Sequence, residues 1–489
     1  MALPQPTTRV LRGTVAYAAA SVIQRAIGFL LLPLYARVLT PGEYGQIAVV
    51  TTVTAALGTL LGLGLETAVF RTYSRLRDQP RERRRFTNTV GTFTLVAPLL
   101  VAALAGLGLS PVIERMFEVP RLAVTLGFLG AALSISATVV PLAILRAQER
   151  FGDFIRLSGV QVVVTVGFTL TFVVLLRWGV LGWMLSIVGA AAILLVTGLV
   201  VLGHRWTSEM DWRHLTAALA FGLPMIPHAL AQWGLSLSDR AILGAFLESS
   251  DVGVYYVAYQ FGLPISVISI ALSQAVQPLY AEASIDDERH SQLAPAASHQ
   301  FLTTALLTMV VALLGPLAVQ ALLPSSYAPA ASLIPWIALG HGLFGLYFIP
   351  INAITILSGR NRWVWVVTVT AALANIGLNL VFVPRIGAAA AAINTCIGYA
   401  ILLIGVSAYM YRVVERPVAF QWSRIGLGSL LVVVAVGSAM FLTAENLALD
   451  LITRMAAIAV VIALFAALGL MGGPLAFVRT WRHQTAPKR

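Results

Sequence analysis

The stretch GTVAYAAASVIQRAIGFLLLPLYARVLTPGEYGQIAVVTTVTAALGTLLGLGLETAVFR, residues 13–71, decides the fold. It holds two apolar runs, Gly13–Val38 and Tyr44–Phe70, each long enough to cross a bilayer as a helix. The tight outer loop Thr40-Pro41-Gly42-Glu43-Tyr44-Gly45 joins them. Gln24 and Arg25 lie in the middle of the first run, with apolar sequence on both sides. An arginine near the bilayer centre costs about 2.5–3.5 kcal/mol on insertion scales, so it is expected to face a protein interior or a water-filled cavity and marks a candidate functional site. The competing reading is structural, with the guanidinium bonded to backbone carbonyls or to a carboxylate on a neighbouring helix.

Composition extends this reading to the whole chain. Of 489 residues, 58% are hydrophobic and 11% charged, and the mean hydropathy is +0.87. A soluble domain is about half apolar and a quarter charged. The apolar runs are long and continuous, unlike the short alternating strands of a barrel, so the expected class is an all-α polytopic membrane protein. The net charge of +12 would suggest nucleic acid in a soluble protein. Here the basic residues fall mostly in short loops, where membrane topology accounts for them, and no nucleic-acid partner is expected. The single cysteine, Cys396, excludes an intrachain disulfide and suggests no metal site. The single lysine, Lys488, lies in the tail. A phosphate-binding P-loop needs a lysine after its glycine run, so the chain carries no ATPase motif. No cofactor is implied.

Runs of about 20 apolar residues give fourteen expected spans. The first, Gly13–Val38, follows Arg9 and Arg12 like a secretory signal, but its apolar part is too long for one. Span seven is expected within Phe221–Phe246, and the last two at Ile425–Leu442 and Leu451–Met471. If the N-terminus is inside and the spans alternate, inner segments hold 24 of the 32 basic residues, including seven arginines between Arg71 and Arg85. Arg115, Arg121, Arg177, Arg385 and Arg454 fall in outer loops. This bias predicts both termini in the cytoplasm.

The halves resemble each other. Leu39-Thr-Pro-Gly-Glu43-Tyr-Gly45 matches Leu247-Glu-Ser-Ser-Asp251-Val-Gly253, and Arg177-Trp-Gly179 matches Arg385-Ile-Gly387, both at an offset of 208. The shared offset predicts a parallel repeat: a six-helix lobe at 1–203, a second at 204–412, and two further helices with a tail at 413–489. Parallel repeats are a known transporter design with a site near the midplane. The offset also places Asp239 and Arg240 inside the membrane on span seven, about two turns from its outer end. They read either as a self-neutralising pair that locks helices or as part of a substrate site. Pro33, Pro224, Pro227, Pro264, Pro278, Pro335 and Pro350 fall inside apolar runs and predict kinks. Gln232 and Asn379 are among the polar residues expected to line a cavity, alongside amides that simply join helices.

These features resemble a known family. The first span with its arginine, the Leu39–Gly45 segment, Arg71 at the head of the basic loop, Ser238-Asp-Arg240 with Leu247–Gly253, and Asn379-Leu-Val-Phe-Val-Pro-Arg-Ile-Gly387 are similar to the polysaccharide transporter family. That family comprises flippases of lipid-linked oligosaccharides within the multidrug/oligosaccharidyl-lipid/polysaccharide exporter superfamily. The resemblance implies two six-helix lobes around a cationic central cavity, in the cytoplasmic membrane. It implies movement of undecaprenyl-pyrophosphate-linked glycans from the inner to the outer leaflet, with no enzymatic step. Arg25, Arg71, Asp239 and Arg240 carry over by position. A lipid pyrophosphate is a compact anion that arginine's planar fork binds bidentately, which would set Arg25 and Arg240 on the phosphates. The implied partners are the lipid-linked oligosaccharide and membrane lipids, and other polysaccharide assembly proteins are admitted. The membrane region has no lysine, so any cationic lining must be arginine or histidine. Competing functions are a flippase for the peptidoglycan precursor lipid II, a cation-coupled drug antiporter, and a glycan polymerase or ligase. The antiporter would want unpaired carboxylates in the spans, and the polymerase large outer loops; the outer loops here are short.

Overall fold

The computed structural model describes residues 27–203, 206–207, 209–283, 290–415, 422–441 and 447–467. Gln24, Arg25 and most of the first expected span lie outside the described residues. The described chain is helical: α1 Leu32–Val38, α2 Pro41–Gly62, α3 Leu65–Arg75, α4 Pro80–Gly108, α5 Ser110–Phe117, α6 Arg121–Ala147, α7 Phe151–Leu175, α8 Gly179–Leu202, α9 Trp212–Ser236, α10 Ser238–Phe246, α11 Ser249–Ala283, α12 Leu293–Leu322, α13 Ala330–Ser358, α14 Val364–Ile386, α15 Ala388–Val413, α16 Trp422–Phe441 and α17 Leu447–Ala467. Among the described residues, twelve helical stretches are long and apolar enough to cross a membrane. The helix at the thirteenth expected span, α16, has a shorter apolar part, Ile425–Gly437.

The helices form two compact units: Leu34–Gly253, and residues 27–33 with 254–467. In the first unit, the expected loop Thr40–Gly45 is instead a capped helix start. The Thr40 hydroxyl accepts from the Glu43 amide at 3.2 Å, and the Glu43 carboxylate accepts from the Thr40 amide at 2.9 Å. That reciprocal pair satisfies two otherwise orphaned amides, and Pro41 at the first helical position loses no bond. The second motif of the repeat marks a helix start at the same offset, since α2 begins at Pro41 and α11 at Ser249.

Helix α2 ends at Leu63 and Gly64, both left-handed, with φ of 47° and 65°. A Cβ on Gly64 would lie 2.5 Å from the Gly222 carbonyl oxygen, so α9 crosses the α2–α3 break backbone to backbone. Beyond it, α3 buries Leu65, Ala68, Val69 and Tyr73 at helical spacing. They join a core with Phe86 and Val90 of α4, Val139, Val140, Ala143 and Ile144 of α6, and Ala218 of α9.

Span seven departs from expectation. Its helix starts at Trp212, well before the expected Phe221, because the carboxylate of Asp211, in the connector after α8, caps it by accepting from the Arg213 amide at 2.9 Å. Pro224, which has no amide hydrogen to donate, sits in a 3-10 turn at Leu223–Met225, and Leu237, at φ −132°, separates α9 from α10. Pro141 lies in a π-helical turn of α6, Thr138–Leu142. Pro264 and Pro278 are accommodated inside the continuous α11.

In the second unit, α12 packs in a core with four other helices. Met309, Ala312 and Leu313 pack with Ala338 of α13, Val432 and Val436 of α16, and Val461 and Phe465 of α17. Arg454 is not in an outer loop: it is buried in α17, bonded to Asp450 at 2.8 Å and to the Leu313 carbonyl of α12 at 2.9 Å. Hydropathy reads a charged residue near a span end as loop, but a carboxylate one turn away neutralises it inside the helix.

Candidate functional site

Helix α10 begins with Ser238, Asp239 and Arg240, all buried. The break at Leu237 lets Asp239 turn its carboxylate onto the helix N-terminus, where an anion is favoured. Asp239 Oδ1 accepts from the Arg240 amide at 2.8 Å and from Arg240 Nη1 at 3.2 Å, and the same Nη1 donates to the Ser236 carbonyl at 2.9 Å. At 2% and 3% exposure, neither charge could persist alone, so the pair is a neutral unit that fastens the end of α9 to the start of α10.

The helices around it are held from both sides. The Trp233 indole donates to the Thr52 carbonyl of α2 at 3.0 Å. Gly244 admits Val49 of α2 and Phe117 of α5, whose side chains would lie 2.7 Å and 3.2 Å from a Cβ there. Gln232 is half-buried on α9, beside Trp233.

The remaining candidates separate. Arg71, on α3, is exposed and lies over the Phe221 ring of α9, 4.5 Å from its centroid. That contact is a cation–π interaction next to the Gly64–Gly222 crossing. Asn379 belongs to the second unit and is fully buried between α14 and α15. It accepts from Asn394 Nδ2 at 2.9 Å and donates to Asn375 Oδ1 at 3.3 Å, forming an amide ladder between two helices. Gln24 and Arg25 lie outside the described residues.

Three carboxylates of the described helices have arginine partners. Glu66 of α3 pairs with Arg146 of α6, Asp239 with Arg240, and Asp450 with Arg454. The sequence reading did not find the partner of Glu66, 80 residues away. It also missed a cluster at the start of α4 and α9, where ligand atoms of Glu82, Asp211 and His214 lie within 4.8 Å of one another. His214 Nε2 is 3.1 Å from Glu82 Oε2, and the Arg85 guanidinium is 3.3 Å from the other Glu82 oxygen. With that cation in place, the cluster already has charge balance at Glu82 and serves to fasten the connector to α4.

A sequence profile of the polysaccharide biosynthesis protein family matches residues 34–332. The chain belongs to this family. With twelve spanning helices among its described residues, it is a multi-pass membrane protein. It is 27% identical over 330 residues to the succinoglycan biosynthesis transport protein ExoT of Rhizobium meliloti (strain 1021), covering 64% of this chain and 63% of that one. It is 27% identical over 219 residues to the probable multidrug resistance protein NorM of Acinetobacter baylyi, covering 42% of this chain and 48% of that one. The chain thus spans less than two thirds of the length of either curated relative. In fold it is similar to the lipid II flippase MurJ in an inward closed conformation, with a TM-score of 0.71 at 15% identity over 92% of this chain and 98% of that one. It is also similar to an inward-facing multidrug resistance MATE transporter, with a TM-score of 0.59 at 14% identity over 81% and 98%.

Proposed function

We propose that this protein is a flippase that moves an undecaprenyl-pyrophosphate-linked oligosaccharide, the repeat unit of a surface polysaccharide, from the cytoplasmic to the outer leaflet. Its membership of the polysaccharide biosynthesis protein family carries the reading. The name of ExoT, a transport protein of succinoglycan biosynthesis, and the MurJ-like fold support it. In this reading the protein lies in the cytoplasmic membrane with both termini inside, and its lobes are 1–203 and 204–412. An arginine-lined cavity opens to each leaflet in turn. Arg25 and Arg240 hold the pyrophosphate, Asp239 orients Arg240, and Gln24, Gln232, Arg71 and Asn379 complete the polar lining. No bond of the substrate is made or broken. Moving a pyrophosphate through hydrocarbon is prohibitive, and a hydrated cationic cavity removes most of that cost.

The drug-antiporter reading has a relative and a fold in its favour. It is weakened by the arginine partners of Glu66, Asp239 and Asp450, because a coupling cation needs a carboxylate free to receive it. A lipid II substrate differs only in the glycan and is the closer alternative.

The test is binding of an undecaprenyl-pyrophosphate glycan to the purified protein and to Arg25→Ala, with folding followed in parallel and a cationic drug as control. Lipid binding that the folded variant loses supports the reading. Drug binding without lipid binding overturns it in favour of the antiporter.

A further inference from the structure

An open cleft of about 260 Å³ lies at the arginine-rich end of the first unit, away from the Asp239–Arg240 pair in sequence and in helix position. One wall is the first two turns of α4, where Pro80, Arg83, Arg84 and Thr87 recur at helical spacing. The other wall is Tyr73 of α3, Ile144 and Gln148 at the end of α6, and Leu202 and Gly203 at the end of α8.

The charges of α4 divide by face. Arg85 points away, to Glu82 and Glu209. Arg83 and Arg84 point into the cleft and have no carboxylate partner among the described residues. Arg83 is held in place by the Tyr73 ring, 5.2 Å from its centroid, and by the Arg77 carbonyl at 3.5 Å.

A second observation is independent of charge. Tyr73 is 92% buried, and its hydroxyl oxygen accepts from Gln148 Nε2 at 2.6 Å. With an amide already donating to that oxygen, the phenolic proton is left to donate outward, along the cleft that Tyr73 lines. Two unneutralised guanidinium groups and a directed hydroxyl donor thus converge above the apolar side chains of Ile144 and Leu202. The start of α4 adds its favourable field for an anion, since its N-cap, Gln79, makes no side-chain cap.

We propose that this cleft binds the phosphate of a membrane lipid headgroup, with Arg83 and Arg84 on the phosphate oxygens, Tyr73 donating a third bond, and Leu202 against the glycerol. The chemistry is that of a phosphate ester, and a cleft among helix ends of a membrane-spanning unit favours a lipid over a soluble phosphate. A basic pocket among helix ends on one side of a membrane protein is a known form of anionic-lipid site. The proposal stands apart from the transport reading, because it rests on residues outside the expected transport lining.

The test uses the full chain purified in neutral detergent. Bound phosphatidylglycerol is counted by native mass spectrometry, with phosphatidylcholine as reference and inorganic pyrophosphate as competitor. The double variant R83Q/R84Q is expected to weaken phosphatidylglycerol binding about tenfold or more, since two charge-assisted hydrogen bonds are lost. Tyr73→Phe, which keeps the ring under Arg83 and removes only the hydroxyl, is expected to weaken it about three- to fivefold. The control R75Q/R77Q removes the same charge from the exposed end of α3 and the turn that follows it, and is expected to change binding less than twofold. Pyrophosphate that fails to displace the lipid identifies the lipid as the source of the phosphate. Pyrophosphate that displaces it keeps the phosphate site and makes a soluble phosphate ester the source. Unchanged binding in R83Q/R84Q, or an equal loss in R75Q/R77Q, overturns the proposal.

Discussion

Gly45 and Gly253 meet backbone to backbone, each against the turn that begins the other's helix. A Cβ on Gly45 would lie 1.7 Å from the Ser249 carbonyl oxygen, and a Cβ on Gly253 would lie 1.8 Å from the Pro41 carbonyl oxygen. Position 253 is position 45 plus 208, and position 249 is position 41 plus 208, so the contact is reciprocal in the numbering of the sequence repeat. Reciprocal contacts of this kind arise at a local two-fold axis. The two glycines that end the matching motifs are therefore the residues that let the starts of α2 and α11 touch.

Gly45→Ala or Gly253→Ala must force these helix starts apart, because the obstructing atoms are backbone. Overpacking of this kind costs about 1–3 kcal/mol, and more where nothing can move. Gly42→Ala is the control, since its Cβ would meet only the Thr40 hydroxyl at 3.9 Å, an ordinary contact. Thermal unfolding in detergent should show a clear loss for the first two and little change for the third. Equal midpoints would mean that the contact is not held in solution.

The Asp239–Arg240 pair gives a second expectation. Arg240→Ala or Asp239→Asn leaves one charge buried, at a cost of about 3–5 kcal/mol. Removing both charges with shape-matched apolar residues, as in D239L/R240M, should recover most of that stability. If Arg240 also binds substrate, the double variant is folded and does not bind the lipid-linked glycan. A folded double variant that binds normally would confine the pair to a structural role.

The sequence reading and the structure diverge for physical reasons that particular residues make clear. Most span positions were legible because an apolar run of bilayer length has few other uses. The helix start at Pro41 was legible as a turn, and the Thr40–Glu43 spacing that makes it a capping box is local enough to be read directly. The repeat offset kept Asp239 and Arg240 out of a loop, and both lie buried at the start of α10. Partnerships across long separations were not legible. Nothing in the sequence joins Glu66 to Arg146 or Glu82 to His214, because their proximity exists only after the helices pack. The break at Leu237 was also missed, since the segment Ser236-Leu-Ser-Asp-Arg240 holds neither proline nor glycine. The role of Asn379 was half legible: its spacing from Asn375 placed both on one helix face, but Asn394 became a partner only through α15.

The Asn394–Asn379–Asn375 ladder sets a third expectation. Asn379→Ala removes its bond to Asn394 across α14 and α15 and its bond to Asn375 within α14, among completely or nearly buried amides. Hydrogen bonds between membrane helices average well under 2 kcal/mol each, so the loss should be about 1–2 kcal/mol in unfolding free energy, and smaller than that of Arg240→Ala. Asn379→Asp keeps the acceptor for Asn394 and should fall between the two. A larger effect on glycan binding than on stability would assign Asn379 to the substrate as well as to the helix pair.

Arg454 makes the last prediction, because one side chain ties α17 to α12. Its Nη1 reaches the Leu313 carbonyl at 2.9 Å while Nε holds Asp450 at 2.8 Å. A carbonyl in mid-helix is already used by its own ladder, so this bond is an addition that only a long cationic side chain supplies. Arg454→Ala leaves the Asp450 carboxylate buried at 5% exposure and removes the link. Around the site, Val461 and Phe465 still pack on the α12 core, so the helix is expected to loosen rather than detach. Hydrogen exchange in detergent should then rise across Leu447–Ala467 and the facing part of α16, with little change in the first unit. Arg454→Lys keeps the charge but has one compact ammonium in place of a fork, and it cannot hold Asp450 and the Leu313 carbonyl with the same geometry. Its exchange should lie between wild type and Arg454→Ala. Exchange that rises equally throughout the chain in Arg454→Ala would instead mean that α17 unfolds together with the whole protein.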